Sequence, residues 1–257
     1  MNQKAFYSIE VCFSPQLIHL VGVRDSLTVV VADILRATTS IISAISNGAS
    51  CVVPVADLNL AKAYKEQGYL VAAERDGKIL DFADFGNSAF EFQSGRVTGK
   101  TLVFSTTNGT VAIDLAKQFG EVVLGGFSNL TSLASWLSLN AKNVLILCSG
   151  WKNAFCLEDT IFAGALIEKL LEMGNYHYNC DSAKASLDLW QIARKDVMAY
   201  IEKATHRERL RQLGVDDVLA FSFETDTTEV VPVLKDGKIM KAERNEQNAE
   251  SNASIEL

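Results

Sequence analysis

The chain alternates short β-branched runs with segments of helical period, and this alternation constrains its fold more than any other feature. An apolar run at residues 27–32 (LTVVVA) precedes a helical segment at 37–48, and the same order recurs at 51–68, 101–120, 121–140 and 143–174. A strand followed by a crossover helix is typical of parallel pairing. We therefore predict an α/β fold with mainly parallel or mixed sheets and helices on both faces, arranged as one unit or as two similar α/β lobes.

Length and apolar content favour one folded domain. The chain has 257 residues, of which 48% are hydrophobic, enough to bury a large core. We predict a single α/β domain over residues 1–242, ending in a β-hairpin at 230–240 (VVPVLKDGKIM) with its turn at Asp236-Gly237. Residues 243–257 are polar and lack an apolar period, so we expect a frayed tail.

Charge and hydropathy argue against two kinds of partner. The net charge is −7 and the basic residues are scattered, so we expect no nucleic-acid partner and no binding to an acidic membrane surface. The N-terminus lacks the apolar core of a signal peptide, and no segment reaches the ~18 apolar residues of a membrane span. We therefore expect a cytoplasmic protein. A homo-oligomer is compatible with the sequence, which does not specify one.

The cysteines and histidines favour a metal held by oxygen, if a metal is present. The five cysteines show no Cys-x-x-Cys spacing, and the three histidines, His19, His177 and His206, are isolated from one another. Buried thiols are the simplest explanation of the cysteines, and a histidine-based zinc site has little support.

Polar residues follow four predicted strands at the ends where ligands bind in parallel sheets. They occupy residues 33–39 (DILRATT), 74–77 (ERDG), 105–110 (STTNGT) and 149–152 (SGWK). These segments supply hydroxyls, glycine amides, cations and acids, which can hold a phosphate near a hard metal ion. Segment 105–110 lacks the ending of a Walker motif, and residues 125–129 fall short of a dinucleotide fingerprint, so ATP and dinucleotides are disfavoured.

Several of these residues also have a structural explanation that the sequence leaves open. Asp33 is a candidate metal ligand or nucleophile, but it also suits a helix N-cap. Arg36 and Arg75 suit two-pronged bonds to phosphate, sulfonate or carboxylate, and they equally suit salt bridges to the neighbouring Asp33 and Glu74. Segment 105–110 is a candidate phosphate cradle or a simple capped turn.

Two further candidates lie later in the chain. Glu158 and Asp159 open a helix and are candidate Mg²⁺ ligands, although acids there also complement the helix dipole. His206 is a candidate catalytic residue or a solvated helix position. Together the acids and arginines predict a site for a small, highly anionic ligand bound with a divalent cation.

Seven motifs, in order along nearly the whole chain, resemble the 2-phosphosulfolactate phosphatase family. They are DILRATTSI with its NGA sequel, AERDG, DFGNS, KTLVFSTTNGT, the loop after VLILCSG, FCLEDTIFAGAL and VVPVLKDGKI. The resemblance implies an α/β fold and a Mg²⁺-dependent hydrolase that converts 2-phospho-3-sulfolactate to 3-sulfolactate and phosphate, a step on a route to coenzyme M. That substrate carries phosphate, sulfonate and carboxylate, which agrees with the cationic groups at the strand ends.

Together with the strand-end pattern, the resemblance implies a role for each candidate residue. The implied catalytic residues are Asp33, Arg36, Glu158 and His206, and the implied Mg²⁺ ligands are Asp33, Glu158 and Asp159. The implied substrate-binding residues are Arg36, Thr38, Thr39, Arg75, Asn87, Ser88, Thr106, Thr107, Asn108, Gly109, Ser149 and Gly150. Whether Asp33 is a nucleophile or only a ligand stays open.

Two departures from the family pattern bear on substrate choice. Arg207 follows His206 where we expect glycine, and Trp151 stands in a loop that is commonly smaller and more polar. A phosphatase of another small phosphorylated acid and a binding protein for an organic phosphate or sulfonate therefore stay open as alternatives. A haloacid-dehalogenase-type site would need Asp-x-Asp at residues 33–35, and a cysteine phosphatase would need arginine six residues after Cys148; neither is present.

Overall fold

The structure is a computed structural model that describes residues 6–22, 26–215 and 218–243. The strands are β1 (Tyr7–Cys12), β2 (Leu27–Ala32), β3 (Cys51–Pro54), β4 (Leu70–Arg75), β5 (Lys78–Ile79), β6 (Thr101–Ser105), β7 (Glu121–Gly125), β8 (Asn143–Cys148), β9 (Tyr176–Tyr178), β10 (Pro232–Lys235) and β11 (Lys238–Lys241). The α-helices are α1 (Ala37–Ser46), α2 (Leu58–Glu66), α3 (Ser94–Val97), α4 (Gly109–Ala116), α5 (Leu130–Asn140), α6 (Leu157–Glu172), α7 (Asp181–Ala193), α8 (Val197–Ile201), α9 (Thr205–Gln212) and α10 (Leu219–Ser222).

Within these ranges the strands form one sheet of eleven strands in the order β5-β4-β6-β3-β11-β10-β7-β2-β8-β1-β9. Strands β7, β2, β8, β1 and β9 pair in parallel and form what we call the five-stranded block. Strands β4, β6 and β3 also pair in parallel and form the three-stranded block. The hairpin β10–β11 lies between the blocks and pairs antiparallel with both.

The hairpin sets the relation between the two blocks. Because three antiparallel pairings separate them, their strands run in opposite senses along the hydrogen-bonded order. Twist between neighbouring strands, about 20–25° per pair, accumulates across the hairpin. Helices α1 and α4 contact strands of both blocks and share one hydrophobic cluster with them, so the blocks meet around these two helices.

The two faces of β2 explain why its sequence is apolar throughout. Val30 and Ala32 belong to a cluster with α5, α6 and α7, whereas Val29 and Val31 belong to the cluster with α1 and α4. A strand buried on both faces needs a continuous apolar run rather than an alternating one. The predicted mixed α/β sheet with helices on both faces is therefore confirmed.

The hairpin at the C-terminal end is also confirmed, with Val233 opposite Met240 and the turn at Asp236-Gly237. The predicted domain over residues 1–242 stays a prediction, and the predicted tail falls almost entirely on residues 244–257, outside the described residues. Among the described helices, none has both the length and the apolar character that crossing a membrane requires.

Candidate active site

One pocket takes residues from carboxyl ends of strands in both blocks. Asp33 follows β2 of the five-stranded block, while Glu74 is the penultimate residue of β4 and Thr106 follows β6 of the three-stranded block. The pocket is open to solvent, and the empty space in it and at its mouth is about 270 Å³. It is lined by Asp33, Leu35, Arg36, Glu74, Gly77, Asn87, Thr106, Asn108, Trp151, His206, Arg209 and Leu210.

Asp33 is a buried carboxylate with a raised pKa. Its Oδ1 accepts a hydrogen bond from the Ala37 N–H at 3.2 Å. The pKa of Asp33 is raised to about 6, mainly by burial and to a smaller extent by the charges of Glu74 and Glu158, while the Ala37 N–H and the charge of His206 oppose the rise. The N-cap residue of α1 is Arg36, and no side chain caps the helix in the usual way, but Asp33 both accepts the N–H of Ala37, the first residue of α1, and lines the pocket.

The hydroxyls that follow Asp33 bond within their own loop. Thr38 Oγ1 accepts from the Asp33 N–H and donates to the Asp33 carbonyl, both at 3.0 Å. Thr39 Oγ1 donates to the Ile34 carbonyl at 2.9 Å. Both threonines are buried, and their hydroxyls hold the loop between β2 and α1 in its conformation. An anion bound at this loop would therefore depend on a conformation that the two hydroxyls maintain.

The N-terminus of α4 approaches Asp33 closely. A Cβ on Gly109 would lie 2.5 Å from the Ala37 Cβ and 2.8 Å from Asp33 Oδ2, distances that a side chain does not tolerate. Just before the helix, the Thr106 N–H donates to Thr110 Oγ1 and the Thr110 N–H donates to Thr106 Oγ1, at 3.1 and 3.2 Å. Glycine therefore brings the amide end of α4 beside the Asp33 carboxylate.

Thr107 and Asn108 join neighbouring loops. The Thr107 N–H donates to Glu74 Oε1 at 2.8 Å, and Thr107 Oγ1 accepts from the Asp76 N–H at 3.1 Å. Asn108 Oδ1 accepts from the Lys152 N–H at 3.0 Å, and Asn108 also lines the pocket. Residues 105–110, which the sequence predicts as a phosphate cradle, therefore lie at the pocket, and some of their polar groups are already hydrogen-bonded to neighbouring loops.

Arg75 lies outside the pocket lining. Its guanidinium donates to the carbonyls of Glu74, Ser105 and Ala56 at 2.6 to 3.1 Å and to Ser105 Oγ at 3.0 Å. Glu74, by contrast, lines the pocket, and its Oε2 accepts from the Gly77 N–H at 2.6 Å. The strand-end pattern placed both Glu74 and Arg75 at this edge of the sheet, but it did not show which of the two side chains lines the pocket.

Glu158 and Asp159 begin α6 and have different partners. Asp159 accepts the N–H of Ile34 on Oδ1 and of Gly150 on Oδ2, both at 2.9 Å, and so joins the loops after β2 and β8. Burial raises the pKa of Asp159 well above its usual range, and the charges of Glu158 and Asp33 contribute. Glu158 Oε1 instead lies 2.7 Å from His206 Nδ1. His206 is thus a buried partner of a buried acid rather than a solvated helix position.

Four buried polar atoms around the site have no hydrogen-bond partner in the described part of the chain. They are Glu158 Oε2, Asn87 Oδ1, Ser88 Oγ and Ser149 Oγ. Buried polar atoms are normally paired, so an unpaired group indicates a place for a ligand, ion or water. Of these four residues Asn87 lines the pocket, and Glu158 contacts the pocket residue His206. Arg36 lines the pocket and is buried, with its Nη1 3.5 Å from the Val215 carbonyl oxygen. Gly150, in the loop after β8, has a positive φ of 61°.

Residues that the sequence did not identify as ligand-binding complete the pocket wall. Trp151 stacks on His206 with ring centroids 5.2 Å apart, and Arg209 lies over the Trp151 ring at 3.5 Å from its centroid. Lys152 Nζ pairs with Asp76 Oδ1 at 2.8 Å. Arg209 could have been found in the sequence because it lies three residues after His206 and therefore on the same face of a helix. Glu74 could have been found from its place near the end of a strand.

The site offers donor atoms of two kinds for a divalent cation. Asp33, Glu158 with its unpaired Oε2, and Asp159 supply carboxylate oxygens, the ligands that Mg²⁺ prefers, but in the described part of the chain these three do not form a ligand group with all donor atoms within 4.8 Å of one another. The ligand atoms of Cys156, Glu158 and His206 do lie within 4.8 Å of one another, a sulfur, oxygen and nitrogen set that suits Zn²⁺. Burial and the charges of neighbouring acids raise the pKa of Asp33 and of Asp159, so the donor chemistry fits a cation.

Comparison with known proteins gives a consistent result. The sequence profile of one family, described as 2-phosphosulpholactate phosphatase, matches residues 12–237. A protein of Prochlorococcus marinus is 38% identical over 227 residues, covering 85% of this chain and 93% of the relative. Proteins of Caldanaerobacter subterraneus and Pseudothermotoga lettingae are each 34% identical, covering 81% and 91% of this chain and 88% and 98% of the relatives. All three carry the name "Probable 2-phosphosulfolactate phosphatase".

Proposed function

The chain belongs to the 2-phosphosulfolactate phosphatase family, and we propose that it hydrolyses 2-phospho-3-sulfolactate to 3-sulfolactate and phosphate with the help of Mg²⁺. Family membership makes it a phosphoric monoester hydrolase. The substrate, the metal and a place on a route to coenzyme M belong to the proposal. So do the roles assigned to individual residues.

One observation carries the proposal most directly. Glu158 Oε2 is buried without a partner, close enough to Asp33 that the charge of Glu158 raises the Asp33 pKa. Repulsion between buried carboxylates favours a bound cation here, because the imidazole of His206 pairs with Oε1 of Glu158 and leaves Oε2 without a partner. A simple anion-binding protein would gain nothing from these acids, so the arrangement favours catalysis over binding alone.

In the proposed mechanism Asp33 and Glu158, with Asp159 beside them, would hold Mg²⁺. When bound, the ion would supply positive charge to the phosphoryl oxygens and help to activate the attacking group. The amide end of α4, brought in by Gly109, faces the same anionic group and stabilises negative charge there. Arg36 lines the pocket as a further cation for the phosphoryl oxygens.

The chain also offers a proton donor for the leaving oxygen. His206 lines the pocket and is held through Nδ1 by Glu158 Oε1. With Nδ1–H donated to that carboxylate, Nε2 is the atom that would transfer a proton to the departing alkoxide, the role that a positioned histidine commonly has. The contact thus lets one acid, Glu158, orient the imidazole with one oxygen and serve the cation with the other.

The test is phosphate release from racemic 2-phospho-3-sulfolactate by the full chain. The assay should run with EDTA and with Mg²⁺ or Zn²⁺ added back, because the two ligand sets favour different ions. We expect EDTA-sensitive release that Mg²⁺ restores. If 2-phospholactate and an aryl phosphate were hydrolysed as efficiently as 2-phospho-3-sulfolactate, the protein would be a phosphatase without specificity for the sulfonate. If no ester released phosphate with either ion, the proposal would be refuted.

The predicted cytoplasmic location, the predicted absence of nucleic-acid partners and the oligomeric state stay predictions.

A further inference from the structure

Arg209 has a guanidinium that the described part of the chain leaves without a hydrogen bond or an ion pair. The side chain is half-buried and lines the pocket, and its guanidinium carbon lies over the Trp151 ring, 3.5 Å from the ring centroid. Burial lowers the pKa of Arg209, while the charges of Asp76 and Glu74 oppose the change. A partly desolvated guanidinium with unused donors at a pocket is an anion-binding group.

The acids near Arg209 are already engaged elsewhere. Both oxygens of Glu74 accept backbone N–H groups, from Thr107 and Gly77. Asp76 pairs with Lys152 Nζ. These acids attract Arg209 electrostatically but form no bond with it, so its donors stay available to a ligand.

Trp151 holds the guanidinium in place. Its ring stacks on the imidazole of His206 at an interplanar angle of 29°, and the guanidinium carbon of Arg209 lies 3.5 Å from the centroid of the same ring. Both partners come from α9, one turn apart. Such a stack fixes the plane of an arginine side chain and reduces the entropy it loses when it binds a ligand.

We propose that Arg209, held on Trp151, binds the second anionic group of the substrate while the phosphate lies at Asp33 and the amide end of α4. This inference rests on the proposed phosphatase function. The substrate class it defines is small phosphate monoesters with a second anionic oxo group, sulfonate or carboxylate, on the same short carbon chain. The guanidinium suits either group because its donors form parallel pairs with anionic oxygens. Arg75 is not available for this role, since it donates to backbone carbonyls.

The test compares Arg209→Gln and Arg209→Lys with wild type on three esters. Racemic 2-phospho-3-sulfolactate carries both extra anions, 2-phospholactate carries only the carboxylate, and 4-nitrophenyl phosphate carries neither. Arg211→Gln is the matched control, because Arg211 is exposed on the same helix and pairs with Glu202 and Glu208. Circular dichroism and thermal melts of each variant show whether the fold is retained.

We expect Arg209→Gln to lower kcat/KM roughly 10- to 100-fold on the substrates with a second anion, the range for losing a charge-assisted bond. On 4-nitrophenyl phosphate we expect less than a threefold change. Arg209→Lys should lie between wild type and Arg209→Gln, and Arg211→Gln should match wild type. A loss confined to 2-phospho-3-sulfolactate assigns Arg209 to the sulfonate, and an equal loss on 2-phospholactate assigns it to the carboxylate.

Binding supplies a second readout that does not need turnover. Titration calorimetry of the full chain should show weaker 3-sulfolactate binding by Arg209→Gln, with inorganic phosphate binding unchanged. Equal losses on all three esters, or no loss on any, would overturn the inference. Failure of wild type to bind 3-sulfolactate or to hydrolyse its phosphate ester would instead refute the proposed substrate, and the ratio of 2-phospholactate to 4-nitrophenyl phosphate would still decide the role of Arg209.

Discussion

Two arginines near the pocket, one at the end of a strand and one on a helix near the C-terminal end of the chain, have very different contacts. Arg75 ends β4 and donates to three carbonyls and one hydroxyl around it. Arg209 lies on α9, stacks on an indole, and makes no hydrogen bond in the part of the chain that the structure describes. The first guanidinium holds loops together, and the second is exposed to the pocket.

The difference follows from what surrounds each residue. The end of a parallel sheet leaves carbonyls that the ladder no longer pairs, and a buried carbonyl without a donor is unfavourable. Arg75 satisfies such carbonyls. At α9 the indole of Trp151 offers a surface without hydrogen-bond acceptors, so the Arg209 donors stay unused. A cation at a strand end is therefore a weaker sign of ligand binding than a cation stacked on a ring in a pocket.

The largest effect in the strand-end region is expected for Asp33→Asn. The amide oxygen can still accept from the Ala37 N–H, so the fold should persist, but the negative charge is lost. We expect Mg²⁺-dependent kcat to fall about 1,000-fold or more, the scale for removing a central catalytic group. Steady-state phosphate release measures it, with Asp114→Asn as a control on an exposed acid. A variant that keeps a tenth of wild-type activity would remove Asp33 from the mechanism.

A smaller effect should follow Gly109→Ala. The added Cβ meets Ala37 and Asp33 at less than 3 Å, so α4 must shift away from the carboxylate. Overpacking of this kind costs about 1–3 kcal/mol of stability, and we expect activity to fall along with it. The matched control is Gly95→Ala, where no atom lies within 4 Å of the new Cβ. Urea unfolding and kcat of both variants decide the point; equal behaviour would mean that the close approach has no consequence.

Arg75→Gln separates the two arginines most directly. We expect it to lower the free energy of unfolding by roughly 2 kcal/mol, since buried carbonyls lose their donor. In the folded enzyme, discrimination between 2-phospho-3-sulfolactate and 4-nitrophenyl phosphate should stay within threefold of wild type. If this variant instead lost discrimination with stability unchanged, the contrast with Arg209 would be wrong.

The last expected effect concerns the stability of the metal-free protein as pH changes. The Asp33 pKa is about 6 in the folded state, above its ordinary value of 3.8, so the folded state holds this proton more tightly than the unfolded chain. Between about pH 4 and 6 the contribution of Asp33 to stability therefore falls as pH rises, by at most about 1.4 kcal/mol per pH unit. Below this window its contribution is fully present.

Urea unfolding in EDTA at pH 4 to 7 tests this expectation by comparing wild type with Asp33→Asn, which cannot ionise there. The variant should gain stability relative to wild type as pH rises, and the difference should level off above pH 6. A difference that is the same at every pH would contradict the raised pKa.

The local patterns of the chain predict much of the fold. The apolar run of β2 and the helical period of α1 and α6 depend on neighbours two to four positions away, so they are visible without tertiary contacts. The hairpin at residues 230–240 was predictable from its Asp-Gly turn. Its insertion between two parallel blocks was not, because strand order depends on which distant edges pack together.

The candidate site divides in the same way. The sequence by itself determined that acids, hydroxyls and glycines follow the strands, since strand ends are a local property, and it thereby placed Asp33 and Thr106 at the pocket. Only the tertiary structure decided that Glu74 lines the pocket while Arg75 does not, and that Trp151 meets His206 and Arg209 from more than 50 positions away in the chain. The physical reason is that side-chain contacts between remote segments depend on how helices and strands pack, and no short-range period encodes that packing.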